Sequence, residues 1–240
     1  LGLTDQVQSV DQSPDFPVRV PEPFVTRMVP GDPHDPLLRQ VLAVADERHA
    51  MPGFVKDPLD ELEGPMPGVL HKYRSRVLVI YRGGCAINCR YCFRRHFPYQ
   101  ENTLTAREVD GLVGYLEAHP EVNEVILSGG DPLMADDQAL SSLFVRLESV
   151  SSINRLRIHT RLPIVIPERV TETLCQTIAA TALPVVMVLH SNHANEIDTA
   201  VQQMVQRLLG EGMLVLNQTV LLKSINDRSA ILAELSEALY

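Results

Sequence analysis

Residues 76–92 read RVLVIYRGGCAINCRYC, and how they divide decides the fold. The opening RVLVIY is a short run of β-branched and aromatic residues, the composition of a buried strand. Gly83 and Gly84 then permit a tight turn, and Cys85, Cys89 and Cys92 follow with the spacing C-x3-C-x2-C. A strand thus delivers three thiols at its C-terminal end. Four more such runs occur downstream: EVILS at 124–128, RLRIH at 155–159, PVVMVLH at 184–190 and MLVLNQ at 213–218. Amphipathic helical patterns separate them, the alternation expected of a parallel sheet in an α/β fold. The first helix opens with Thr105 and Glu108 at capping-box spacing, and the fourth ends in LLGEG, where a glycine can close it in a left-handed cap. Each strand ends in polar chemistry: the cysteines, then SGGDP, HTR, HSNH and NQ. A doubly wound sheet gathers its site at one switch point, whereas a (β/α) barrel brings every strand end to one face. Five contributing strands favour the barrel.

Residues 1–70 have a different texture, with eleven of the seventeen prolines and one good helical stretch, DPLLRQVLAVADERH at 35–49. This predicts a wrapping segment (1–70) around a barrel unit (71–240). The formal net charge of -9 argues against a general affinity for nucleic acid, so any basic site must be focused. No apolar run approaches membrane-span length, and the mean hydropathy is +0.01. Four cysteines, three of them crowded together, are not a disulfide framework, and a reducing cytoplasm is the natural setting. Cys175 falls in a helical pattern and reads as a small buried hydrophobe. The sequence begins LGLTDQ and ends LSEALY within a helical pattern, which suggests that both ends were cut from something longer.

The crowded thiols suit a soft metal. Structural zinc would need a fourth ligand, for which His96 is available, and a zinc-braced structural or interaction protein is one alternative reading. The sharper reading is a four-iron cluster held by three thiolates, with one iron left open for a ligand that is not protein. In FRRH, Arg95 reads as part of a solvated basic surface.

CAINCRYC, with Tyr91 before the last cysteine and placed after the first barrel strand, resembles the radical S-adenosylmethionine superfamily. The resemblance implies a partial (β/α) barrel whose [4Fe-4S] cluster chelates S-adenosylmethionine and cleaves it to a 5'-deoxyadenosyl radical. SGGDP resembles the superfamily's glycine-glycine-acid motif, which implies Ser128, Gly129, Gly130 and Asp131 around the methionine amino group.

Longer stretches, among them CRYCFRRHF, SGGDPLMADD, RLRIHTRLPIVIPERVT, HSNHANEID and LNQTVLLKSIND, are similar to lysine 2,3-aminomutases. The similarity is greatest to the bacterial branch that makes (R)-β-lysine for modifying elongation factor P. It implies conversion of (S)-α-lysine to (R)-β-lysine, with pyridoxal 5'-phosphate as a second cofactor holding the migrating nitrogen. Lys72, Tyr73 and Arg76 in HKYRSR match positions that hold the cofactor phosphate. Arg94 matches the arginine that grips the substrate carboxylate, Tyr91 is expected against the adenine, and His190 and Gln218 near the adenosyl group. His159 and His193 are assigned no role, because histidines satisfied at the edge of the core account for them equally well. The resemblance also implies an electron donor protein, a functional link to an elongation factor P ligase, and a homo-oligomer as one possible assembly.

Two departures matter. The family's Schiff-base lysine matches none of Lys56, Lys72 and Lys223, so that lysine, the acids that hold the side-chain amine and the last barrel strand are all expected beyond residue 240. One barrel edge would then be unpaired, a liability in a fragment. Arg228 stands where some relatives carry a zinc-binding cysteine, which predicts no zinc there. A radical aminomutase acting on glutamate or arginine is the other alternative, because the discriminating acids are not within this sequence.

Overall fold

A computed structural model describes residues 16–49, 52–99, 102 and 104–240. Val69–Tyr73 (β1) turns into Arg76–Arg82 (β2), and the two pair antiparallel, with Val69 opposite Val79 and Tyr73 opposite Arg76. From β2 onward the pairing is parallel, through Glu124–Gly129 (β3), Arg155–Thr160 (β4), Val185–His190 (β5) and Leu214–Gln218 (β6). The spatial order is β1-β2-β3-β4-β5-β6. A strictly sequential order has no switch point; it is the arc of a (β/α) barrel, as the five polar strand ends predict. The described residues place no strand against the outer edge of β6.

Right-handed crossovers between sequential strands keep the connecting helices on one face of the sheet. After the short α1 (Glu22–Val25), these are Ala106–Ala118 (α2), Asp137–Glu148 (α3), Leu162–Val165 (α4), Glu172–Ala179 (α5), Thr199–Gly210 (α6) and Ser229–Leu239 (α7). Their starts are fixed by side-chain caps: Asp136 accepts from the Ala139 N–H, Thr171 from Leu174 and Asp198 from Val201. The predicted capping box is present at α2, where the Thr105 N–H donates to Glu108 at 2.5 Å. The predicted glycine cap is present at α6: Gly212 has φ +76°, and the Met213 and Gly212 N–H groups bond the Leu208 and Leu209 carbonyls.

The strands' period of two sorts the side chains into two layers. Val77, Val79, Val125, Leu127, Leu156, Ile158, Met187 and Leu189 turn toward the helices and form the buried core, which Cys175 joins as expected. The alternate residues line the other, inner face. There the register sets Ile80 beside Ser128, His159 beside Val188, Val188 beside Leu216, and His190 beside Gln218.

Two local expectations are corrected. Residues 35–49 are not a helix but two 3-10 turns, Leu38–Gln40 and Ala45–Arg48. The carbonyls an α-helix would use are already engaged: Arg90 donates through its backbone N–H to the Gln40 carbonyl at 2.9 Å and through Nη1 to the Arg39 carbonyl at 3.0 Å. The second correction is β1 itself, unforeseen because VLHKY lacks an alternating pattern and its role as an edge strand is set by β2. The expected fragment ends at LGLTDQ lie outside the described residues.

The N-terminal stretch lies against the later units. Arg27 Nη1 donates to the Ile164 and Glu196 carbonyls, Arg39 Nη1 to the Ser224 carbonyl, and the Asn88 N–H to the Arg19 carbonyl. Phe24, Met28, Leu37, Leu38 and Val41 belong to the same hydrophobic core as the sheet.

Candidate active site

The start of the loop after β2 is held by backbone pairing. Gly130 N–H donates to the Arg82 carbonyl at 2.7 Å and Asp131 N–H to the Gly84 carbonyl at 2.9 Å, which zips the turn after β3 onto the start of the cysteine loop. A methyl group on Gly130 would stand 2.5 Å from the Gly84 oxygen, and Gly129 has φ +116°. Both glycines are therefore dictated by backbone geometry, whatever they also contact.

Cys85, Cys89 and Cys92 are part-exposed along this loop. Burial pushes the Cys85 thiol well above its usual range, and the Asp131, Cys89 and Cys92 charges push in the same direction. Burial and then Cys89 raise Cys92. The three groups thus feel one another, yet among the described residues no three His, Cys, Asp or Glu side chains converge tightly enough for a single ion. His96 does not complete a mononuclear cage with them. Three thiols carried on one loop are the donor set of a four-iron cluster, in which each thiolate takes its own iron.

Around the thiols lies a buried network that spacing could not reveal. Arg161, one residue past β4, donates through Nη1 to Cys89 Sγ at 2.9 Å and to the Tyr91 hydroxyl, and through Nη2 to Gln40 Oε1 at 2.9 Å and Glu196 Oε2 at 3.1 Å. Gln40, Glu196 and Asn192 are fully buried. Asn192 Nδ2 donates to Gln40 Oε1 and to the Tyr91 hydroxyl. The only sequence signal for this set was the position of HTR and HSNH at strand ends; Gln40 and Glu196 carried none.

Tyr91 and His190 meet, hydroxyl to Nε2 at 2.8 Å. Burial first, and then the Arg161 charge, lower the His190 pKa to about 3, so the ring is neutral, and the direction of its bond to the tyrosine hydroxyl follows its tautomer. Gln218 Oε1 lies 3.1 Å from His159 Nδ1. His159 projects from the inner face, and among the described residues its Nε2 is buried without a partner. His193, by contrast, is satisfied, accepting the Asn195 N–H at Nδ1.

Ser128 stands on the inner face beneath Arg94, whose Nη1 lies 3.2 Å from the serine hydroxyl. Arg94 is 7% exposed and is paired with Glu61 by two bonds, Nε to Oε2 at 2.7 Å and Nη2 to Oε1 at 3.1 Å. Asp131 is turned inward: its carboxylate accepts from Leu133 N–H, Thr160 hydroxyl, Arg161 N–H and Leu162 N–H. Burial raises its pKa and these four bonds draw it back. The residue clamps the end of β3 to the end of β4.

Lys72, Tyr73 and Arg76 lie at the far end of the β1–β2 hairpin from the thiols. Arg76 stacks on Tyr73 at 5.5 Å and lies 3.7 Å from Glu124, which Arg157 also engages at 2.6 Å. Lys72 is not brought to Arg76; its ammonium bonds the Leu59 carbonyl. Arg95 is not a solvated charge either, since it pairs with Glu47 at 3.0 Å.

Comparison with known proteins gives one consistent answer. Residues 79–188 match the model of the Radical SAM superfamily. The chain is 52% identical over 225 residues to L-lysine 2,3-aminomutase of Escherichia coli, covering 94% of this chain and 66% of the relative. It is 48% identical over 241 residues to that of Haemophilus influenzae, covering 100% and 71%. With the Clostridium subterminale protein of the same name it shares 33% identity over 214 residues, 88% of this chain and 51% of the other. The chain spans about two thirds of the length of the first two relatives.

Proposed function

Since the chain belongs to the L-lysine 2,3-aminomutase family within the Radical SAM superfamily, we propose that it forms the cluster-bearing portion of an isomerase that moves the α-amino group of L-lysine to the β-carbon. The observation that carries this reading is the thiol triad at the end of the first parallel strand, with a buried arginine two residues beyond it. Cys85, Cys89 and Cys92 would hold a [4Fe-4S] cluster. Bound there, the cluster with S-adenosylmethionine supplies a radical initiator, and pyridoxal 5'-phosphate supplies a carrier for the migrating nitrogen.

The chain's own residues do the positioning. Tyr91, fixed by His190 and Asn192, presents a flat ring beside the thiols for the adenine. Ser128, Gly129 and Gly130 line the turn facing the loop, with Asp131 as the buried clamp that keeps this turn in place. Arg94 offers a guanidinium to the substrate carboxylate, and Gln218 and His190 close the far side of the adenosyl site. Tyr73 and Arg76 suit a phosphate at the lower end of the inner face. Lys72 is a weaker candidate because of its bond to Leu59. Lys56, Lys72 and Lys223 are all exposed, and no step is assigned to a lysine of this chain.

The division into a wrapping segment (1–70) and a barrel unit (71–240) fits this assignment, the segment supplying Gln40 and Glu61 to a site built by the barrel. Lysine as substrate, a reducing protein as electron source, and delivery of the product toward elongation factor P complete the proposal, in a cytoplasmic setting. No helix among the described residues is long and apolar enough to cross a membrane. The test is anaerobic: reconstitute the full-length protein with iron and sulfide, reduce it, and record its paramagnetic resonance with and without S-adenosylmethionine, then supply isotope-labelled lysine. A four-iron signal that changes on adding S-adenosylmethionine, followed by labelled β-lysine, is expected. Bound zinc with no cluster signal would defeat the proposal.

A further inference from the structure

The pairing of Arg94 with Glu61 joins two parts of the chain with unrelated textures. Glu61 lies in the turn DPLDELEG, whose backbone is fixed by Asp57: one carboxylate oxygen accepts the Glu61 N–H at 2.8 Å and the Leu62 N–H at 3.1 Å. Lys72 on β1 bonds the Leu59 carbonyl and anchors the same turn to the sheet. Glu61 is therefore delivered by a braced element, and it is 6% exposed.

A guanidinium has two edges that can grip a carboxylate, the side edge (Nε with Nη2) and the end edge (Nη1 with Nη2). Glu61 takes the whole side edge. At the other end Nη1 lies 3.2 Å from the Ser128 hydroxyl and 3.5 Å from the Gly129 carbonyl, both at the tip of β3. The end edge is thus turned to the inner face, where Nη1 holds one bond to the Ser128 hydroxyl and a longer contact to the Gly129 carbonyl. The fork is planar, so with its side edge tied by two bonds Glu61 fixes the plane in which the end edge points, and the Ser128 hydroxyl is the one group a ligand carboxylate would have to displace there.

We infer that Glu61 is a positioning residue for carboxylate recognition: it ties the side edge of Arg94 and thereby aims the end edge at the carboxylate of an amino acid on the inner face. This rests on the reading of Arg94 given above and extends it to a residue of the wrapping segment. It also gives the segment's DPLDE turn a task in specificity, because a substrate without a carboxylate would be indifferent to Glu61.

The test uses the full-length, cluster-loaded enzyme with Glu61→Gln, Glu61→Asp and Arg94→Ala. The expected result for Glu61→Gln is a KM for lysine raised on the order of tenfold or more, with kcat changed far less. Glu61→Asp should recover part of the KM, and inhibition by 1,5-diaminopentane, which lacks the carboxylate, should stay as in the parent. A lower KM in Glu61→Gln would overturn the inference, since it would make Glu61 a competitor for the fork. An unchanged KM in Glu61→Gln, with a raised KM in Arg94→Ala, would also overturn it while leaving the Arg94 reading intact. If Arg94→Ala itself leaves the KM unchanged, the reading of Arg94 fails first. Should Glu61→Gln not accumulate as folded protein, Glu61→Asp decides by the same comparison of lysine with diaminopentane.

Discussion

Arg161 is the residue on which the site's packing turns. Arg161 is 6% exposed, and its guanidinium faces Glu196, which is fully buried. Breaking such a pair strands the other charge, so Arg161→Met should destabilise the chain by about 3–5 kcal/mol in a urea titration. The double change Arg161→Met with Glu196→Leu should recover part of that loss, because it removes the stranded carboxylate. His190 makes a second prediction at this scale. Its pKa falls to about 3 in the folded chain against an ordinary value of 6.5, so below pH 6.5 the unfolded chain takes up a proton that the folded one refuses. Stability is therefore unaffected above pH 6.5 and declines on acidification toward pH 3, by roughly 1 kcal/mol per pH unit. Burial lowers His159 and His193 in the same direction. His190→Gln should flatten this acid limb in denaturation curves taken between pH 7 and 5. The cysteines were legible in sequence because their ligand spacing is local. Arg161, Gln40, Glu61 and Glu196 were not, because each is defined by a partner at least 33 residues away.

At the scale of elements, the parallel strands were legible to within a residue or so, since β-branched runs buried against helices allow little else. The edge strand β1 and residues 35–49 were not, because a neighbour decides both: β2 recruits VLHKY, and Arg90 takes the carbonyls that would have made a helix. The zipper between the turn after β3 and the cysteine loop gives a sharp test. Gly130→Ala puts a carbon 2.5 Å from the Gly84 oxygen and 2.8 Å from the Gly83 carbonyl carbon, both backbone atoms with little freedom to move. A loss of about 2 kcal/mol or more is expected, together with faster release of iron to a chelator than in the parent.

For the molecule as a whole, the N-terminal stretch is a structural tie across the strand ends. Arg27 is the main fastening, with Nε 3.2 Å from Asp198 and Nη1 bonded to the Ile164 and Glu196 carbonyls. Arg27→Met should cost about 2–4 kcal/mol and increase proteolysis within residues 16–49 before the barrel is cut, as limited digestion would show. The buried network bears also on synthesis. Gln40, Tyr91, Arg161, Asn192 and Glu196 are far apart in the chain, so the network beside Cys89 cannot close until residue 196 has been made. Cys92 precedes that point by 104 residues (196 − 92), which at ribosomal speed is about 5–20 s. For that interval the nascent chain displays Cys89 without the Arg161 guanidinium that engages it in the finished fold, so the thiol triad is made before its surroundings are.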